Sequence, residues 1–197
     1  MTYQNPLHAL MDGRLALFQE FLKHPSKIGS VISSSRFLEY RVVKTAGIRS
    51  AKTIVELGPG TGRTTRAILK AMARHTKLLS IERNPHLHTL VKRIEDDRLI
   101  VHHGDANGLK KILSMYGLDA PEALISGIPF STMSFGSGSQ IIEAISSVLA
   151  PGGRFVAYQV SKRVAVLSQP ILGSGQMEVE LLNIPPLRVY RWEKNSA

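Results

Sequence analysis

The sequence contains no cysteine in 197 residues. That absence excludes a disulfide framework and a thiolate metal centre, and it suits a reducing cytosol. Long apolar runs are missing as well: none approaches the ~18 residues that a membrane-spanning helix needs. The opening "MTYQNPLHALMDGR" lacks a basic stretch followed by an apolar core, so no cleaved leader is expected. Acidic residues are scarce, 15 against 25 lysines and arginines, which leaves a net charge of +10 and a pI near 10.1. A balance this basic favours polyanionic partners, either nucleic acid or an anionic lipid surface. With no internal repeat, no low-complexity tract and 43% hydrophobic residues, the chain reads as one globular unit with a sizeable core.

Apolar residues recur at helical spacing from about Asn5 to Lys23, with polar residues on the other side, and Pro25 marks the end of that amphipathic helix. "SSSRFLEYRVVKTAG" opens on serine N-cap candidates and predicts a second helix. These 50 residues read as an N-terminal helical cap, and residues 51–197 as the main domain. Within the domain, strands are expected at 52–58, 77–82, 98–105, 122–130 and 154–160, with helices at 62–75, 85–97 and 139–153. "MEVELLNI" and "RVYRWEK" face each other across "PPL" as an antiparallel pair. Such alternation predicts an α/β fold: a seven-stranded, mostly parallel Rossmann-like sheet with an antiparallel last strand and helices on both faces.

"VELGPGTGRTT" (55–65) carries the strongest chemical signal. Glycines 58, 60 and 62 let backbone approach a ligand, and Glu56 stands on the strand just before them. A carboxylate there repels a dinucleotide pyrophosphate but suits the cationic amino-acid end of S-adenosylmethionine. Glu82 closes the second strand, where a carboxylate can accept two ribose hydroxyls. Asp105 closes the third, where it can accept from an adenine amino group. This constellation resembles class I S-adenosylmethionine-dependent methyltransferases. The resemblance implies that cofactor as the methyl donor, with Glu56, Gly58, Pro59, Gly60, Thr61, Gly62, Glu82, Arg83, Asp105, Ala106 and Ser126 around it.

The fourth strand ends "SGIPF" (126–130). Adenine N6-methyltransferases place Asn or Asp there to accept from the exocyclic amine, together with a backbone carbonyl and a stacking aromatic. Ser126 and Gly127 replace that amide, while Pro129 and Phe130 remain. A backbone carbonyl near Ile128 and the face of Phe130 suit a tetrahedral alkylamine and its cationic products. Together with "HPSKIGSVISSSRFL", "VELGPGTGRTT", "LAPGGRFV" and "NIPPLRVYRW", the "SGIPFSTMS" string resembles bacterial phospholipid N-methyltransferases, themselves similar to ribosomal RNA adenine dimethylases. The resemblance spans roughly residues 15–193. It implies phosphatidylethanolamine as acceptor, a peripheral position on the inner face of the cytoplasmic membrane, and an anionic membrane surface as partner, with no obligate protein partner. "VAYQVSK" (156–162) departs from that family's pattern, which leaves an ornithine lipid or another amino lipid open as acceptor. Adenine in RNA stands as the rival acceptor.

Ser34, Ser35 and Arg36 form a donor cluster at a helix start, suited to a lipid phosphodiester; ordinary helix capping is the competing role. Catalytic candidates are Tyr40, Ser126, Gly127, Ile128, Phe130 and Tyr158. For the amine proton, Tyr40, Glu39, His103 and Tyr158 are the candidate acceptors. His102 and His103 are consecutive on a strand and face opposite sides, so no metal site is expected.

Overall fold

The structure, a computed structural model, describes residues 35–183 and 185–195; the expected first helix and Ser34 lie outside them. Helix α1 (Arg36–Ala46) starts where Ser35 Oγ accepts from Leu38 N at 3.2 Å, and it ends at Gly47 in the left-handed conformation. Leu38, Val42 and Ala46, four residues apart, put one buried stripe on the sheet. The described part of the N-terminal cap is therefore built into the core.

The chain continues through β1 (Thr53–Leu57), α2 (Arg63–Ala71), β2 (Lys77–Glu82), α3 (Pro85–Lys92), β3 (Leu99–His103), α4 (Leu109–Met115) and β4 (Ala123–Ser126). It ends with α5 (Phe135–Val148), β5 (Arg154–Gln159), α6 (Arg163–Leu172), β6 (Gln176–Glu180) and β7 (Leu187–Glu193). The described strands form one sheet in the order β3-β2-β1-β4-β5-β7-β6. The first five are parallel, while β7 runs antiparallel to both β5 and β6. All five β1 residues are buried, because helices cover both faces. Val55, Leu57, Phe155 and Trp192 face the α4–α6 layer, while Ile54, Val156 and Val189 face the α1–α3 layer.

Three expectations need correction. The fourth strand stops at Ser126 rather than reaching 130, because Pro129 and Phe130 enter a short 3₁₀ turn. Helices α4 and α6 were not anticipated. α4 has only seven residues between glycines, and α6 carries Pro170 in its last turn. Proline there deletes one late hydrogen bond, and burial of Val164 and Leu167 against the sheet outweighs it.

Strand order reverses between β1 and β4, so the chain leaves these two neighbours in opposite directions and a crevice opens at their carboxyl ends. The glycine loop, the 126–130 turn and the end of β5 all meet there.

Candidate active site

The β1–α2 turn is shaped by three glycines at φ +68°, +60° and +80° (Gly58, Gly60, Gly62). A Cβ on Gly60 would meet no protein atom within 4 Å, so open space lies over the loop where a ligand can rest on backbone. Beneath it Glu56 is fully buried. Its Oε2 accepts from Thr65 Oγ1 at 2.7 Å and Ser80 Oγ at 2.9 Å, while Oε1 has no partner among the described residues. Burial raises its pKa to about 7, against the pull of the two hydroxyls. An orphaned carboxylate oxygen under an open glycine loop fits the cationic amino-acid end of S-adenosylmethionine.

At the next strand end Glu82 is nearly buried; Oε2 accepts from Gly60 N at 3.2 Å and Oε1 from Asn84 N at 2.8 Å. It thereby ties the glycine loop to the start of α3. Asp105 is half-exposed, accepts from Asn107 N at 2.9 Å and lies 3.8 Å from the exposed Arg83 guanidinium. Ala106 is buried beside it, Pro59 is buried in the loop, and Thr61 is exposed. These cofactor candidates thus converge on one end of the sheet.

Ser126 is fully buried and its Oγ accepts from Ile128 N at 3.3 Å, so the hydroxyl is buried against the turn. Gly127 lies against Gly58 and Tyr158. Tyr158 is half-buried, with its hydroxyl 3.3 Å from Thr64 Oγ1; desolvation, reinforced by Glu56, pushes the phenol above its ordinary value. Gln159 is buried and donates from Nε2 to the Ile128 carbonyl oxygen.

Other candidates fall elsewhere. Phe130 is 0% exposed, packed among Leu57, Ile142 and Leu167 under the sheet, and so presents no ring face to a ligand: a correction to its expected stacking role. Tyr40 is 68% exposed and lines a groove between α1 and β6–β7 with Phe37 and Leu182. Ser35 caps α1, as the competing role had it, and its N–H donates to Asn183 Oδ1 at 2.8 Å. Arg36 is exposed, over the Phe37 ring at 5.2 Å. Glu39 pairs with Arg63 at 2.9 Å. His102 and His103 diverge, the first to Tyr116 Oη at 3.1 Å and the second to the Arg83 carbonyl oxygen at 3.1 Å.

Sequence reasoning assigned no role to Thr64, Thr65, Ser80, Gln159 or Asn183. The "TT" after the last loop glycine was a visible sign for the first two. The others act across strands, where no local pattern shows them.

The sequence profile of ribosomal RNA adenine dimethylases matches residues 19–120. An ornithine lipid N-methyltransferase of Singulisphaera acidiphila is 29% identical over 138 residues, covering 69% of this chain and 72% of that protein. Ribosomal RNA small subunit methyltransferase A of Rhizobium johnstonii is 33% identical over 124 residues, covering 61% of this chain. The match spans only 40% of that enzyme's length. Among solved structures, the O-methyltransferase TomG from Streptomyces achromogenes, in complex with its cofactor, superimposes with a TM-score of 0.67. Its identity is 12%, and the match covers 84% of this chain and 82% of that one. The glycine loop and both acidic strand ends lie inside the profile match, which takes in just over half of the chain. The protein therefore belongs to the ribosomal RNA adenine dimethylase family and is an S-adenosylmethionine-dependent methyltransferase.

Proposed function

We propose that the protein methylates the alkylamine of a polar lipid headgroup at an anionic membrane surface, as a peripheral protein on the cytoplasmic side. One observation carries this reading: the β4 end offers no side-chain acceptor for a planar amine, since Ser126 Oγ is turned onto Ile128 N and Gly127 has no side chain. The ornithine lipid methyltransferase likeness supports an amino lipid as acceptor, as does the net charge of +10 for an anionic surface. Among the described residues no helix is long and apolar enough to cross a membrane, consistent with binding at its surface. Phosphatidylethanolamine and an ornithine lipid are the two acceptors to compare.

S-adenosylmethionine, when bound, supplies an electrophilic methyl group on sulfonium. The chain's own residues have to present a neutral amine in line with it. An alkylammonium has a pKa near 10, so its proton must leave before transfer. Tyr158 stays a neutral phenol at physiological pH and can hold one amine N–H through an oxygen lone pair without taking the proton. Glu39 is paired with Arg63, His103 faces the Arg83 carbonyl oxygen and Tyr40 lies in the groove beside β6–β7, so water is taken as the proton's destination.

Adenine in ribosomal RNA is the second reading, favoured by the family profile and by the Rhizobium relative. The two are separated by incubating the protein with labelled S-adenosylmethionine and three acceptors. These are phosphatidylethanolamine vesicles, ornithine-lipid vesicles, each with and without anionic lipid, and small-subunit ribosomal RNA. Label is expected in lipid; label in RNA alone refutes the proposal.

A further inference from the structure

Two features at the end of β4 act on the same chemistry. A Cβ built on Gly127 would stand 2.8 Å from the Gly58 carbonyl oxygen and 3.0 Å from Tyr158 Cζ, and nearer still to Tyr158 Oη. The volume that any side chain at 127 would enter is thus held by a phenol hydroxyl and a backbone carbonyl. One residue further, the Ile128 carbonyl oxygen is covered by the Gln159 side-chain amide, whose own residue is 5% exposed. An exocyclic amine conjugated to a base keeps both N–H bonds in the ring plane and needs two coplanar acceptors. Here the side-chain acceptor is displaced by Tyr158, and one of the two lone pairs of the carbonyl acceptor is taken by Gln159.

We propose that Tyr158 and Gln159 form a selector that rejects planar conjugated amines and admits tetrahedral alkylamines. Tyr158 Oη and the Gly58 carbonyl oxygen both border the Cβ position of residue 127, and in the selector they are assigned to the two N–H bonds of an sp³ amine. Gln159 is a positioning residue: it makes no claim on the substrate and competes with it for the Ile128 carbonyl oxygen. Adjacent on β5, the two side chains leave opposite faces of the strand, so a single strand end controls both acceptors. The selector rests on the amino-lipid reading and sharpens it from a lipid class to a geometry of nitrogen.

The test keeps the lipid constant and changes only the nitrogen. Full-length protein is given vesicles of two synthetic phospholipids with headgroups of equal length, one ending in a primary alkylamine and one in an arylamine. Rates are compared for wild type, Gln159→Met and Tyr158→Phe, and S-adenosylhomocysteine affinity within twofold of wild type establishes that each variant is folded. Gln159→Met, which frees the Ile128 carbonyl, is expected to narrow alkyl-over-aryl discrimination at least tenfold, or to yield arylamine product where wild type yields none. Tyr158→Phe is expected to lose at least tenfold on the alkylamine and less on the arylamine. Equal losses on both lipids, or no arylamine product from Gln159→Met, overturn the selector while leaving the lipid activity intact. No methylation of either lipid by wild type overturns the amino-lipid reading itself.

Discussion

Replacing Glu56 by Gln should abolish a pH dependence of stability in the cofactor-free protein. The carboxylate is fully buried, two hydroxyls share one oxygen, and the other oxygen has no partner among the described residues. Its pKa rises from 4.5 in the unfolded chain to about 7 in the fold. At ~1.4 kcal/mol for each tenfold change in proton affinity, that difference is worth about 3 kcal/mol. Because the folded value is the higher one, the stabilisation is complete below pH 4.5 and is lost as pH climbs through 7. The wild type should therefore lose about 2.5 kcal/mol through this group between pH 5 and pH 8. With a urea slope of roughly 2–3 kcal/mol/M, the unfolding midpoint should fall by on the order of 1 M. Glutamine keeps the shape and an acceptor for Thr65 and Ser80 but cannot titrate, so its midpoint should lack this component. Comparing the two proteins at each pH cancels the other titrating groups, His102 among them. If both midpoints shift equally with pH, Glu56 is not the buried, underpartnered acid described above.

Two further outcomes follow from single contacts. Asn183→Ala should cost about 2–3 kcal/mol, because the fully buried amide joins Ser35 N and the Pro185 carbonyl oxygen, each at 2.8 Å, and Ser35 N–H is left unpaired. Thermal unfolding and faster amide exchange in residues 36–46 would register it. Gly60→Ala and Gly62→Ala should each cost about 1–2 kcal/mol through their left-handed backbone. Only the first puts a methyl into the open space over the loop, while the second meets Ile94 Cδ1 at 2.8 Å. Calorimetric titration with S-adenosylhomocysteine should show the greater loss of affinity for Gly60→Ala.

The cofactor end of the molecule was legible because its signals are local. Strand, acid and spaced glycines occur within eight residues in "VELGPGTG", and Glu82 and Asp105 each follow a short apolar run. Topology then carries all three to one edge of the sheet without help from long-range detail. The acceptor end was harder to read because its contacts are not local. Gln159 reaches a carbonyl 31 residues away, and Ser35 meets Asn183 across 148. The strings "SSSR" and "NIPP" were both singled out, yet nothing in either reveals that they touch. Phe130 shows the converse problem: an aromatic after Pro suggests a ligand face, but the 3₁₀ turn rolls it into the apolar layer with Leu57. Helix α6 was hidden by Pro170, a residue whose cost depends on which turn it occupies.

The order β5-β7-β6 sets a timetable for synthesis and refolding. β6 leaves the ribosome before β7 but has no partner in the sheet until β7 has docked on β5. An early-made strand must therefore wait for a later one, with its backbone edge unpaired and Glu180 not yet buried. The same delay falls on α1, whose N-cap Ser35 gains its Asn183 contact only when the β6–β7 connection closes. Slow steps in assembly should concentrate in residues 176–193, where contacts of long sequence separation must all form together.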